Sequence, residues 1–432
     1  MVGLLTLSMM AIFPVVELVK ANPAELYVGP SQPYLTIQAA IDAANPGDVI
    51  VVHPGTYDGG IEVDKSLTIC STDGASVTII DGGEKYDYGF NVTADNVSIS
   101  GFTVKNALSS GIYASYDGDL HLTLENNVIT DNLVGVEVEA EYNVYLTIIG
   151  NSIVDNEDWG TYAYSYSGNI FPEIWNNIFE GNGGNGIFLS LSESETVGTI
   201  GGNIIRNNEG YGISVQGGNV SLSLIDNKIL NNGGCGMSVE SENVSLTIIS
   251  NEICENGWAD GGGGILGGGN DISLTAIDND VSDNGYYGMM FLGERIFLTA
   301  IDNNVSDNGW KPFELEGPLM AGDEIFLPPF GGIWMGAEDF IYLTVASNTI
   351  ENNTKYGIYA YADVGGEVEG FLTGNLIANN TGDGIHVENV VFDSVTAYFN
   401  HIEGNTEFGV FNLDEEGDML HACFNWWGTT SG

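Results

Sequence analysis

The sequence predicts an all-β fold: one chain wound into a single-stranded parallel β-helix of about 13–14 coils, closed at its N-terminal end by a short capping helix. Three observations carry that expectation. An Asn-x-(Ile/Val)-x-x-Asn motif recurs along most of the 432 residues, and its copies are spaced at nearly one interval. The residues between copies hold short alternating apolar patterns, with no segment long enough for a helix.

Taken in order, Leu4 to Val16 is a mostly apolar run too short to span a bilayer, followed by Val19-Lys20-Ala21. Residues 1–21 therefore read as a secretory signal, though one without a Lys or Arg ahead of the run. No later segment offers 18 uninterrupted apolar residues, so the mature chain is expected to have no transmembrane helix and to be secreted to the cell surface. Residues 22–48 form the expected cap. Leu35 to Ala44 has the pattern of a short amphipathic helix and precedes Asn45-Pro46-Gly47-Asp48 and the strand Val49–Val52, where it can cover the apolar end of a rod.

Residues 49–432 are expected to be the β-helix itself. The motif begins at Asn127, Asn151, Asn203, Asn227, Asn251, Asn279, Asn303, Asn348, Asn375 and Asn400, with Asn177 to Asn182 a copy carrying Phe179 in the apolar place. Gly101 to Asn106 is a variant start and Asn425-Trp426-Trp427-Gly428 a truncated last copy. Intervals are 24–28 residues except one of 45, which marks an insertion at 310–330. Within 203–226 the apolar patches are Ile205, then Ile213 and Val215, then Val220, Leu222 and Leu224, which is room for three strands of alternating pattern. Such coils stack in parallel at ~4.8 Å, giving a rod of roughly 65 Å. Asn at the corners fits because its amide donates to one neighbour in a column while accepting from another, and because Asn tolerates left-handed backbone.

Charge excludes several functions. Nine Lys and Arg against 59 Asp and Glu give −50, so nucleic acid and anionic lipid are excluded as partners, and acidic polysaccharide is repelled unless a cation intervenes. An apolar fraction of 43% with 10% aromatics excludes intrinsic disorder.

The helix followed by Pro46-Gly47-Asp48-Val49-Ile50-Val51 and Pro54-Gly55-Thr56-Tyr57, the Asn/Ile coils and Asn425-Trp426-Trp427-Gly428 resemble pectin-lyase-fold repeat proteins of the NosD or CASH type. That resemblance covers nearly all of the mature chain and implies a right-handed coil. It implies two kinds of function, since the group is similar both to polysaccharide lyases and hydrolases and to non-catalytic surface proteins. Against catalysis, the Asn-Thr-Asp, Asp-Asp, Gly-His-Gly and Arg-Ile-Lys motifs of polygalacturonase-like hydrolases are absent. Arg206 and Lys228 are the only neighbouring cations of the kind a lyase needs to stabilise an enolate, and the five His are sequence singletons without metal-ligand spacing. No catalytic residue is assigned.

Three other groups are candidate sites. Asp278, Asp280 and Asp283 should stack over the next coil, with Asp302 and Asp307 beneath the first and last. Either a bound Ca²⁺ or splayed, solvated side chains would relieve the repulsion. A column of outward positions on the second strand gives Tyr113, Tyr162, Phe188, Met290, Trp334, Tyr359 and Phe411, a stripe suited to a protein interface, to cover by the chain's own loops, or to stacking on sugars. Cys70, Cys235, Cys254 and Cys423 cannot easily pair within the rod, which leaves disulfides between subunits or unpaired thiols. The functional expectation is a non-catalytic structural protein that packs against copies of itself in an extracellular layer, by analogy with archaeal sheath and surface-layer proteins, with no cofactor required and calcium the one candidate ion. The alternative is a protein that binds or cleaves cell-surface polysaccharide.

Overall fold

The computed structural model describes residues 23–259, 262–309, 331–363, 365–388, 395–413 and 421–428, and the backbone of 320–321 and 324–325. The leader expected at 1–21 lies outside these residues, as does most of the insertion at 310–330. Among the described residues no helix is long and apolar enough to cross a membrane.

The described residues form a parallel β-solenoid of 14 coils, the number of strands in the sheet built from each coil's first strand. One coil shows the rule: Ile204–Arg206, Ile213–Gln216 and Asn219–Ile225 are its first, second and third strands. Each pairs in parallel with its equivalent in the next coil, for instance from Asn219↔Asn243 to Ile225↔Ile249. Alternation along each strand sends Ile205, Val215, Leu222 and Leu224 into a continuous apolar core and their neighbours outward. In three coils the second and third strands merge, as Ile265–Ile277, Tyr287–Ile301 and Gly331–Ala346.

The cap helix is shorter than expected, Ile37–Ala43, because Thr36 caps it by accepting from the Ala39 amide and leaves Leu35 exposed. Ile37, Ala40 and Ile41 are buried against the rod's end, and Lys65 Nζ donates to the carbonyls of Ile41, Asp42 and Ala44.

The recurrent Asn residues form two buried ladders flanking the first strand. The ladders run from Asn127 to Asn425 and from Asn132 to Asn405. Each Asn Nδ2 donates to the Oδ1 of the Asn one coil on and to a backbone carbonyl of the previous coil, while its backbone N–H donates to that same Oδ1. Asn227, for example, donates from Nδ2 to Asn251 Oδ1 at 2.9 Å and to Ile200 O at 2.7 Å. Pairing satisfies these amides inside an apolar interior, which is what permits polar residues there.

Left-handed backbone belongs to the residue before each ladder Asn and not, as expected from sequence, to the Asn itself. One column runs Asn126, Gly150, Asn176, Gly202, Asp226, Ser250, Asp278, Asp302, Ser347, Gly374, Phe399, Phe424; the other includes Asp131, Asp155, Gly181, Asn207, Asn231, Asp283 and Asp307. Gly, Asn and Asp adopt this conformation at least cost, whereas other L-residues lose roughly 1–2 kcal/mol there.

Candidate functional site

The twelve outward positions of the second strand form one in-register column: Tyr113, Glu137, Tyr162, Phe188, Ser214, Ser238, Leu266, Met290, Trp334, Tyr359, His386 and Phe411. Its exposure differs from expectation. Tyr113, Tyr162 and Phe188 are half-buried; Tyr113 stacks on Tyr88 at 4.6 Å and Trp159 lies 4.8 Å from Tyr162. Burial pushes both tyrosine hydroxyls up to about 12. Between the aromatics, the Ser110 hydroxyl donates to Glu137 and the Tyr113 hydroxyl to Glu139. Farther along, Met290, Trp334 and Tyr359 are buried in a cluster with Cys235 and Tyr287, and Trp334 stacks on Tyr359 at 5.8 Å. Phe411 is half-buried against His386 and Phe408. A continuous exposed stripe is therefore absent among the described residues: large side chains in adjacent coils pack on one another and withdraw from water.

The aspartates do not converge either. Asp278 and Asp302 occupy one left-handed corner column, Asp283 and Asp307 the other, and Asp280 lies on the strand between, where Asn304 Nδ2 donates to it. Among the described residues no three carboxylate, His or Cys side chains come together as a metal site. Their residue type has a structural cause, since Asp tolerates the corner conformation. Burial and the neighbouring Asp307 raise the carboxyl of Asp283. Of the thiols, Cys235 is buried with Sγ 3.2 Å from the Tyr287 hydroxyl and Cys254 is buried 3.2 Å from Ser282 Oγ, so neither is presented to a neighbouring subunit; Cys70 is half-buried and Cys423 exposed. Arg206 and Lys228 do not act together, because each pairs with its own acid, Glu180 and Glu252.

The third face carries an open cleft of about 630 Å³ spanning five successive coils. Two neighbouring columns line it: Glu195, Asn219, Asn243, Asp271, Arg295 and Val197, Ser221, Ser245, Ser273, Phe297. Asn243 Nδ2 donates to Asn219 Oδ1 at 2.7 Å, and Arg295 grips Asp271 through Nε and Nη2 at 2.5 and 2.7 Å. Ser221, Ser245 and Ser273 are exposed, and their side-chain hydroxyls make no hydrogen bond to another described residue. Beyond Phe297 the face turns aromatic: Phe340 lies 5.9 Å from Phe297, Phe371 projects two coils on, and Phe399 and Phe424 stand at the following corners. Alternation places the strand positions among these outward, but the sequence reading stopped at the second strand and passed over the column.

The sequence profile of the right handed beta helix region matches residues 88–253, 199–318 and 331–424. The chain belongs to this family. No curated protein matches the sequence. Among solved structures the β-helix is similar to pectate lyase Pel9A, at 20% identity over 60% of this chain and 78% of that one with a TM-score of 0.45. It is also similar to the Azotobacter vinelandii mannuronan C-5 epimerase AlgE4 A-module, at 16% identity over 92% and 95% with a TM-score of 0.42. A third similar structure is the catalytic unit of a GH87 alpha-1,3-glucanase from Streptomyces thermodiastaticus, at 12% over 90% and 66% with a TM-score of 0.40. At these identities the likeness is one of fold.

One cluster on this β-helix escaped the sequence reading. His386 is buried, with Nδ1 2.6 Å from Asp383 Oδ2 and Nε2 2.9 Å from Glu388 Oε1, and the Tyr359 hydroxyl donates to the same Glu388 oxygen at 3.0 Å. Donating from both ring nitrogens requires the imidazolium. Although burial opposes it, the two carboxylates raise the His386 pKa, and His386 and Tyr359 in turn hold Glu388 below the usual range. The signal was His386-Val387-Glu388, since alternate residues on a strand share a face.

Proposed function

We propose that this β-helix protein binds a neutral polysaccharide, outside the cell as its expected export implies, along the cleft of its third face. The carrying observation is the row of unengaged hydroxyls of Ser221, Ser245 and Ser273 beside the Asn219 and Asn243 amides, repeated once per coil and closed by the Phe297 ring. A regular ladder of donors and acceptors suits an extended, hydroxyl-rich chain lying along the rod, with an aromatic face for one sugar ring. The net charge of −50 disfavours polyanions. Binding rather than hydrolysis fits the carboxylates present. Asp271 is engaged by Arg295, and Glu195 lies three coil spacings away, about 14 Å, beyond the roughly 10 Å limit for an acid pair acting on one glycosidic bond. Lateral assembly in a surface layer is the weaker reading, because much of the stripe it relied on is buried within the chain.

Affinity electrophoresis against neutral glucans and mannans, with alginate and polygalacturonate for contrast, tests the reading. Retardation by a neutral polymer, lost in Ser245→Trp with an unchanged melting temperature, is the expected result. Equal retardation of both proteins would place the ligand elsewhere, and retardation by the polyanions alone would overturn the proposal.

A further inference from the structure

Phe399 and Phe424 break the rule of their column. Ten other residues from Asn126 to Gly374 in that left-handed corner are Gly, Asn, Asp or Ser, yet these two have φ of +57° and +56° with bulky rings. Their rings are also among the most exposed apolar groups of the chain, at 68% and 78%, and stack on each other at 5.6 Å and 17°. Strained backbone and exposed apolar surface therefore coincide at one pair, and burial in the core explains neither.

We infer that Phe399 and Phe424 are terminal stacking subsites for the glycan, which leaves the cleft at Phe297 and crosses the third face by way of Phe371. This rests on the polysaccharide reading and adds where the polymer goes and what holds it there. Phe297 at the cleft's edge is 44% exposed, and Phe371, 50% exposed, lies two coils beyond it and one coil before Phe399, so exposed aromatic rings are spaced at intervals from the cleft to the corner pair. The occupant is an uncharged sugar ring. Its C–H face fits against an open aromatic face, whereas a second copy of this chain or an anionic surface would meet a molecule of charge −50.

The double variant Phe399→Asn/Phe424→Asn separates this role from a structural one, because Asn accepts left-handed backbone readily. Its expected melting temperature equals or exceeds that of the natural protein, while its affinity for the retained neutral polysaccharide falls about tenfold. Phe399→Tyr/Phe424→Tyr keeps the rings and should keep the affinity. A lower melting temperature in the Asn variant would make the rings structural packing and overturn the inference. Unchanged affinity would overturn it too, and with Ser245→Trp still abolishing binding it would leave the cleft reading intact. If the natural protein binds no neutral polysaccharide, both readings fall.

Discussion

Replacing Asn227 by Ala tests whether the buried amide ladders hold the coils together. Asn227 Oδ1 accepts from Asn203 N and Nδ2, each at 3.0 Å, and Asn227 Nδ2 donates to Ile200 O and Asn251 Oδ1. Asn251 Oδ1 keeps the Asn227 backbone N–H, and the other Asn203 amide hydrogen keeps Ile174 O. Truncation thus strands two buried donors, the Asn203 backbone N–H and one Asn203 amide hydrogen, while the Ile200 carbonyl loses one donor but stays in the parallel strand ladder. At about 1–3 kcal/mol for each unsatisfied buried group, the loss is about 2 kcal/mol at the low end, and water entering the vacated space keeps it from reaching the upper limit. Asp226→Asn, one residue away on an exposed corner that suits both side chains, should stay within about 0.5 kcal/mol. Urea unfolding followed by circular dichroism measures both. In a solenoid, a break in the middle also weakens coupling between neighbouring coils, so the Asn227→Ala transition should broaden or split. A loss under about 1 kcal/mol with a single sharp transition would refute the claim that the amides are the glue and leave apolar burial to explain the stacking.

The His386 cluster gives a pH signature. A raised imidazole pKa contributes stability that is fully present below its ordinary 6.5 and lost as pH rises through the folded value, while a lowered Glu388 pKa contributes above its ordinary 4.5 and is lost as pH falls through the folded value. The natural protein should therefore lose more thermal stability than His386→Gln between about pH 5.5 and about pH 8.5, a window of roughly three units spanning the imidazole range. At the acidic corner, Asp307→Asn removes a like charge beside Asp283 and keeps a residue that tolerates the φ of 58°, so it should raise stability at neutral pH by a few tenths of a kcal/mol, the modest scale of exposed charges. That gain should shrink in acid, because the raised Asp283 carboxyl is then protonated in either protein. Thiol titration of the native protein should find Cys423 reacting first and Cys70 more slowly. Cys254, raised to about 11 by burial, and the enclosed Cys235 should react only after unfolding.

The inward half of the sequence was legible because the fold repeats it. Each coil must return an apolar residue to the core and an amide to each ladder, so Asn203, Ile205 and Asn208 recur as Asn227, Ile229 and Asn232, and period and strand count follow. The column from Tyr113 to Phe411 was legible for the same reason, since alternation fixes direction. Exposure was not: whether an outward ring meets water depends on the size of its neighbours one coil away. Trp334 beside Met290 and Tyr359 vanishes from the surface, whereas Phe371 beside Thr344 and Thr396 stands clear. The His386 cluster was hidden by distance, because Asp383 reaches the ring around a corner and Tyr359 from the coil before.

The same logic locates function on this rod. Positions that obey the repeat are explained by the repeat, as the corner aspartates show: four residues that looked like a cation site occupy columns where Asp, Asn and Gly interchange freely. Informative positions are those where a column changes character without a structural need. The outward serines replace an aromatic run of His121, Tyr145 and Phe171 in the same column, whose rings stack at 4.2 and 4.8 Å, and so open the cleft. Phe399 and Phe424 replace Gly and Ser in a corner that penalises them. One departure lies on the third face and the other at the corner that ends it, so an extended ligand running along this side of the rod would meet both, and their loss should weaken binding without weakening the fold.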